Sequence, residues 1–194
     1  MKELLVYVYD TCVVTEVSLL TWWVNSEDEY NVRTISETLD PVKTTDGFML
    51  QPESKIDEIT ATENIVGLVI PGGFDISLSE SLGALITKLH QEGKILGAIC
   101  AGPTFLAYAG VLKDVIYTTT RTPERFKELG IPDPFDWDNK KPESVRVVRD
   151  DSIITATGAA YADFADAMFG ALGLYRGDDD RKTLLNDFSP QWKF

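Results

Sequence analysis

A continuous apolar segment runs without interruption into a predicted helix at Cys100. Residues 94–99 read Lys-Ile-Leu-Gly-Ala-Ile, and helix-forming sequence follows from Pro103 to Gly110. A strand that turns directly into a helix exposes its turn residue at the carboxyl edge of a parallel sheet. Residues 98–102 read Ala-Ile-Cys-Ala-Gly, with the small side chains that the crowded turn of a nucleophile elbow requires. The segment therefore predicts a parallel α/β fold with Cys100 at its ligand-binding edge.

Apolar periodicity predicts that strands and helices alternate along the rest of the chain. We expect strands at about residues 4–9, 30–36, 65–70, 94–99, 115–119, 144–149 and 152–156, and helices at about 14–25, 79–92, 103–110 and 160–172. Residues 41–51 predict a hairpin that turns at Asp46-Gly47, and residues 120–143 predict a short helix and a loop over one end of the sheet. This order predicts a single three-layer α/β domain over residues 1–194, with a mainly parallel sheet and helices on both faces. The charged tail, residues 177–194, is expected to be peripheral or to dock on the body or on a second subunit.

Composition argues against several classes of partner and location. The 31 acidic residues outnumber the 18 Lys and Arg and give a net charge of −13, which disfavours nucleic acid and anionic membranes as partners. Apolar runs are shorter than the roughly 20 residues that span a bilayer, and we find no signal peptide. Two cysteines do not make a disulfide framework, so a reducing cytoplasm is the expected location.

Three segments are predicted to meet at the carboxyl edge of the sheet. The helix that follows Cys100 places unpaired N–H groups beneath the sulfur and favours a thiolate. Gly72 and Gly73 follow the apolar strand 65–70, and the amides of Gly73 and Ala101 are candidates to hold an oxyanion. Glu16 begins the first helix, and a carboxyl beside a thiol predicts a coupled pair that holds one proton near neutrality.

Each of these residues also has a plain structural interpretation. Cys100 fits an inert buried cysteine that ends a strand, and Glu16 fits a surface carboxylate at a helix N-terminus. Cys12 follows the first strand at the same edge; it is either a thiol that resolves an oxidised Cys100 or a small packing residue. His90, the single histidine, ends the helix before the Cys100 strand and is expected at the opposite edge, about 16 Å away.

Several of these motifs resemble the ThiJ/PfpI superfamily, which includes the parkinsonism-associated deglycase-like protein. The resemblance rests on the Pro-Gly-Gly turn at residues 71–73, the Ala-Ile-Cys-Ala-Gly-Pro elbow and residues 153–160 with Phe164, and it covers residues 3–174. It implies a flavodoxin-like fold akin to class I glutamine amidotransferases, a homodimer, and no metal or organic cofactor. It further implies Cys100 as the reactive cysteine, Glu16 as the acid at its sulfur, and Gly73 and Ala101 as amide donors.

Two positions depart from the pattern that this resemblance implies. Peptidase members carry a histidine directly after the cysteine, where this chain has Ala101, and other members carry one where this chain has Thr120. Peptidase activity is therefore disfavoured. The sequence favours a thiol that acts on a small-molecule electrophile, such as a 2-oxoaldehyde (glyoxalase or deglycase chemistry) or an isonitrile (hydratase chemistry). A non-catalytic redox or stress-response protein and a small-ligand binding module are the alternatives.

Overall fold

The computed structural model describes residues 1–142 and 144–187, in which strands and helices alternate. The strands are β1 (Lys2–Tyr7), β2 (Tyr30–Ser36), β3 (Val42–Lys43), β4 (Met49–Leu50), β5 (Ser54–Lys55), β6 (Ile65–Ile70), β7 (Ile95–Ile99), β8 (Val147–Asp150) and β9 (Ile153–Ala156). The helices are α1 (Thr15–Asn25), α2 (Glu80–Gln91), α3 (Pro103–Tyr108), α4 (Pro123–Leu129), α5 (Tyr161–Ala171) and α6 (Asp178–Asp187).

Seven strands form one sheet in the order β5-β2-β1-β6-β7-β9-β8, and β3 and β4 form a separate antiparallel pair. Every pairing in the large sheet is parallel except that of β8 with β9. The hairpin predicted for residues 41–51 is confirmed, since β3 pairs with β4, and β8 forms a second antiparallel pair with β9. The chain leaves β1 toward β2 on one side and later returns to β6 on the other, which makes the edge between β1 and β6 a switch point.

Helices cover both faces of the sheet, as the sequence predicts. α1 packs against α5 on one face, and α2 packs against α3 on the other, while β7 contacts α2, α3 and α5. Burial from both sides explains the continuous apolar sequence of the central strands. Leu4, Leu68 and Leu96, on β1, β6 and β7, are completely buried. The expected three-layer architecture is confirmed.

Three details of the fold differ from the sequence prediction. Residues 115–119 do not form a strand, because only Tyr117 makes a bridge, with Lys140, and the chain then turns toward the Cys100 loop. The strand β5 was not predicted because two residues carry no periodic signal. The helix α6 was not predicted because its sequence is highly charged, yet Arg181 anchors it through two hydrogen bonds to the Asp166 carboxylate on α5.

The range of described residues bears on the C-terminal tail and on membrane-spanning helices. The tail segment 188–194, which the sequence leaves either frayed or docked, lies outside them. None of the helices in the described part of the chain combines the length and the apolar character needed to cross a bilayer.

Candidate active site

The elbow at Cys100 lies between the end of β7 and the start of α3. Cys100 has a φ of 63°, a left-handed conformation that costs a non-glycine residue about 1–3 kcal/mol. Three hydrogen bonds hold its peptide in place: its N–H donates to the Ala156 carbonyl at 2.8 Å, and its carbonyl accepts from the Thr120 N–H at 3.0 Å and the Thr119 hydroxyl at 2.7 Å. The surrounding backbone therefore maintains the strained turn that the sequence predicts.

The carboxyl of Glu16 lies beside the sulfur of Cys100. Glu16 is in the first turn of α1, it is buried, and its Oε2 accepts a 2.7 Å hydrogen bond from the Gly72 N–H. The Glu16 carboxyl is close enough to the Cys100 thiol for each group to affect the pKa of the other. The loop after β1 and the loop after β6 thus converge on the elbow, as the sequence predicts.

Two glycines make this close approach possible. A methyl group at Gly72 would lie 2.7 Å from Glu16 Oε2 and 2.8 Å from Cys100 Sγ. A methyl group at Gly158 would lie 3.0 Å from Glu16 Oε1 and 3.0 Å from the same sulfur. Gly158 was not predicted as a site residue, although its place two residues after the end of β9 is the signal that could have identified it.

The two predicted amide donors border the open side of the sulfur. In the described part of the chain, neither the Gly73 N–H nor the Ala101 N–H donates to another protein oxygen. The Ala101 amide interacts with the Cys100 sulfur. The loop that carries Gly73 is held by Thr11, whose hydroxyl accepts from the N–H groups of Phe74 and Asp75 at 3.0 and 2.9 Å.

The surroundings of Cys100 shift the pKa of its thiol upward, which is opposite to the direction that the sequence predicts. Burial, followed by the charge of Glu16, raises the pKa of the Cys100 thiol to about 11, although the Thr120 hydroxyl and the Ala101 amide act in the opposite direction. Burial also raises the pKa of the Glu16 carboxyl. Both shifts disfavour the charged form of each group, so burial and Glu16 oppose the thiolate that the sequence predicts; that thiolate stays a prediction, which titration of the thiol tests.

The remaining predicted residues divide between the site and the core. Thr120 is at the site, because its hydroxyl donates to Cys100 Sγ at 3.3 Å. Cys12 is completely buried in the hydrophobic core, which supports its interpretation as a packing residue. His90 is in the last turn of α2, just before β7, whereas Cys100 follows the other end of that strand.

A cavity of about 290 Å³ opens over the sulfur; we call it the thiol cavity. It is lined by Gly73, Phe74, Cys100, Ala101, Thr120, Arg121 and Arg125. The two arginines were not predicted from the sequence, although Arg121 directly follows the predicted pocket residue Thr120. Within the described residues, no three His, Cys, Asp or Glu side chains are grouped as a metal site requires.

A family comparison agrees with the geometry of this site. The model of the DJ-1/PfpI family matches residues 2–170. The chain belongs to the DJ-1/PfpI family. Two curated proteins are similar to part of the chain: a deglycase of Thermococcus kodakarensis, 35% identical over 79 residues, and the deglycase PfpI of Pyrococcus furiosus, 36% identical over 70 residues. The matched segments cover 39% and 34% of this chain and 47% and 42% of those relatives, less than half of their length.

Solved structures of DJ-1/PfpI proteins share the whole fold. A DJ-1 superfamily protein of Agrobacterium tumefaciens superposes with a TM-score of 0.82 at 24% identity, covering 96% of this chain and 97% of that one. The oxidized DJ-1 of Toxoplasma gondii superposes with a TM-score of 0.74 at 20% identity, covering 99% and 100%. These similarities confirm the flavodoxin-like architecture that the sequence resemblance implies.

Proposed function

We propose that this DJ-1/PfpI protein is a cysteine-dependent enzyme that acts on small electrophilic carbonyl compounds, with 2-oxoaldehydes as the substrate class. The observation that carries the proposal is the pairing of Cys100 with Glu16 beneath a cavity that the Gly73 and Ala101 amides border. The deglycase names of the two partial relatives support the same chemistry.

Because burial and Glu16 raise the pKa of the Cys100 thiol, the first step has to include a proton transfer. As sulfur attacks the aldehyde carbon, the thiol proton passes to the Glu16 carboxylate, the C–S bond forms, and the carbonyl π electrons move to oxygen. The amides of Gly73 and Ala101 stabilise this developing oxyanion, an effect commonly worth about 3 kcal/mol per donor. Return of the proton from Glu16 to oxygen gives a neutral hemithioacetal.

Completion of the reaction needs only water. The hydrogen on the former aldehyde carbon leaves as a proton, and a proton is added at the neighbouring carbon, which converts the hemithioacetal into a 2-hydroxy thioester. Hydrolysis of the C–S bond releases a 2-hydroxy acid and regenerates the thiol. The net conversion of methylglyoxal and water to lactate is redox-neutral, so no external oxidant or reductant enters it.

The redox alternative is less well supported by the site. Oxidation sensors use a thiolate that is present in the resting protein, whereas burial and Glu16 raise the pKa of the Cys100 thiol. Substrate addition requires proton transfer only within the complex. The homodimer implied by the resemblance stays a prediction, and sedimentation of the purified chain tests it.

Turnover of methylglyoxal to lactate tests the proposal directly. We expect saturable lactate formation by the wild type and a loss of about a thousandfold or more for Cys100→Ser. Cys12→Ser makes the same atomic change at the core thiol and should retain turnover. Absence of lactate from the wild type, or equal activity in Cys100→Ser, would contradict the proposal.

A further inference from the structure

Arg121 is a buried cation beside the nucleophile. Its side chain is only 7% exposed, yet it forms no salt bridge with any carboxylate among the side chains that the structure describes. Its Nε has no hydrogen-bond acceptor within the described residues. Its one side-chain hydrogen bond there runs from Nη2 to the Gly73 carbonyl, at the long distance of 3.5 Å.

An uncompensated guanidinium in this position is costly. Burial of a charge without a partner costs several kcal/mol, which proteins normally offset with a carboxylate or a ligand. Burial and the nearby charge of Arg125 lower the pKa of the Arg121 guanidinium. The second cavity arginine is different, because Arg125 is exposed and pairs with Glu128 at 2.8 Å. Arg121 therefore retains unused donors at the wall of the thiol cavity.

We propose that the thiol cavity selects electrophiles that carry a carboxylate, with the carboxylate on Arg121 and the reactive carbon at Cys100. This inference rests on the proposed function and narrows its substrate class to 2-oxoaldehydes that also carry a carboxylate. A guanidinium presents a planar set of donors that matches a carboxylate. A cavity of about 290 Å³ accepts such a small anion beside the sulfur.

The net negative charge of the protein makes a preference of Cys100 for anionic reagents informative about the groups that lie near the sulfur. The net charge of −13 repels anions from most of the surface. A preference for an anionic reagent at Cys100 therefore has to come from groups close to the sulfur, and the Arg121 variants separate the guanidinium from the Gly73 and Ala101 amides. Arg121 and Arg125 are the two cations that line the cavity among the described residues.

Alkylation of Cys100 by a matched pair of reagents tests the proposal without turnover. Iodoacetate and iodoacetamide both form an S–C bond, break the C–I bond and release iodide, but iodoacetate alone carries a carboxylate. Mass spectrometry of the Cys100 peptide gives both rates. We use their ratio, because a change in thiol ionisation scales the two rates equally and cancels.

We expect the iodoacetate-to-iodoacetamide ratio of the wild type to exceed that of N-acetylcysteine by about tenfold, the usual value of a hydrogen bond to a charged group. Arg121→Gln should remove this excess, and Arg121→Lys should retain part of it because the charge stays while the planar fork is lost. Arg125→Gln is the matched control; its solvent-screened charge should change the ratio by about twofold at most.

Two results would overturn the proposal. One is a wild-type ratio no higher than that of N-acetylcysteine, a measurement that does not depend on any variant being folded. The other is a loss of the excess in Arg125→Gln that equals or exceeds the loss in Arg121→Gln. Failure of methylglyoxal turnover would contradict the proposed function and leave this ratio unaffected, so the two failures are distinguishable.

Discussion

Two cavities of similar size at the same edge of the sheet have opposite chemistry. The thiol cavity measures about 290 Å³ and contains Cys100 with two arginines. The second measures about 280 Å³ and is lined by Asp10, Glu37 and Asp75 among other residues; we call it the acidic cavity. Both are built from residues that follow parallel strands. The fold therefore supplies the positions, and individual side chains decide whether a cavity is lined by arginines and a thiol or by carboxylates.

Tyr9 separates the two cavities. It lines the acidic cavity, and its hydroxyl occupies the space beside Gly73, which lines the thiol cavity. The hydroxyl donates to the Pro71 carbonyl at 3.0 Å, which fixes the position of the ring. A buried aromatic side chain therefore screens the carboxylates of the acidic cavity from the sulfur. Substitutions in either cavity test this comparison.

Among the substitutions considered, Glu16→Gln is expected to have the largest effect on the chemistry of the thiol cavity. Burial and the Glu16 charge together raise the thiol pKa to about 11, so removal of the charge should lower that pKa and increase alkylation at neutral pH. Turnover should instead fall by about a hundredfold or more, because glutamine cannot accept the thiol proton. The pH profile of iodoacetamide alkylation from pH 6 to 11, measured beside lactate formation, checks both. A variant in which the two rates change in the same direction would contradict the proton-transfer role.

Gly72→Ala should produce the next largest effect, on stability. The added methyl would overlap the sulfur and the Glu16 carboxylate, at a cost of about 1–3 kcal/mol in the free energy of unfolding. Gly83→Ala on α2 is the matched control, since its methyl would meet Leu78 at an ordinary 3.4 Å. The control should gain about 0.5–1 kcal/mol from helix propensity. Urea unfolding measures both, and equal stabilities for the two variants would argue against close packing at the thiol.

Thr120→Val should have a smaller effect that is confined to the sulfur. The Thr120 hydroxyl donates to Sγ at 3.3 Å and stabilises the thiolate. Loss of one such hydrogen bond should raise the thiol pKa and slow alkylation at neutral pH by about threefold. Thr120→Ser keeps the hydroxyl and should restore the wild-type rate. A valine variant that reacts as fast as the wild type would remove Thr120 from the site.

Glu37→Gln in the acidic cavity should leave Cys100 nearly unchanged. Burial, together with the charges of Glu37 and Asp75, raises the pKa of Tyr7, so the substitution should lower that pKa. The alkylation rate of Cys100 should stay within about twofold of the wild type, because Tyr9 and distance screen the two cavities from each other. Tyrosine ring NMR during titration and the alkylation rate give the two values. A large change at Cys100 would show that the cavities are electrostatically coupled.

The parts of the site that the sequence predicts are those with a local signal. Cys100 is identifiable because an apolar strand, small residues and a helix meet at one position. Gly72 and Gly73 are identifiable because a buried strand ends there. Arg121 has no comparable signal, because its burial and lack of a carboxylate partner result from tertiary packing. The same limit explains the wrong strand at 115–119. The backbone N–H groups of Ile116, Tyr117 and Thr118 do not form a strand ladder. They donate instead to the Asp150 carboxylate, the Asn139 carbonyl and the Thr155 hydroxyl.

The anchoring of residues 119 and 120 to the Cys100 carbonyl has a consequence for how this chain tolerates length changes. The segment between Cys100 and Thr119 can be lengthened without separating the sulfur from Thr120. The hydrogen bonds of residues 119 and 120 to the Cys100 carbonyl, and not the length of the chain, set that spacing. Lys113 and Asp114 are exposed in this stretch. An insertion there should therefore yield a longer protein with an unaltered reaction centre.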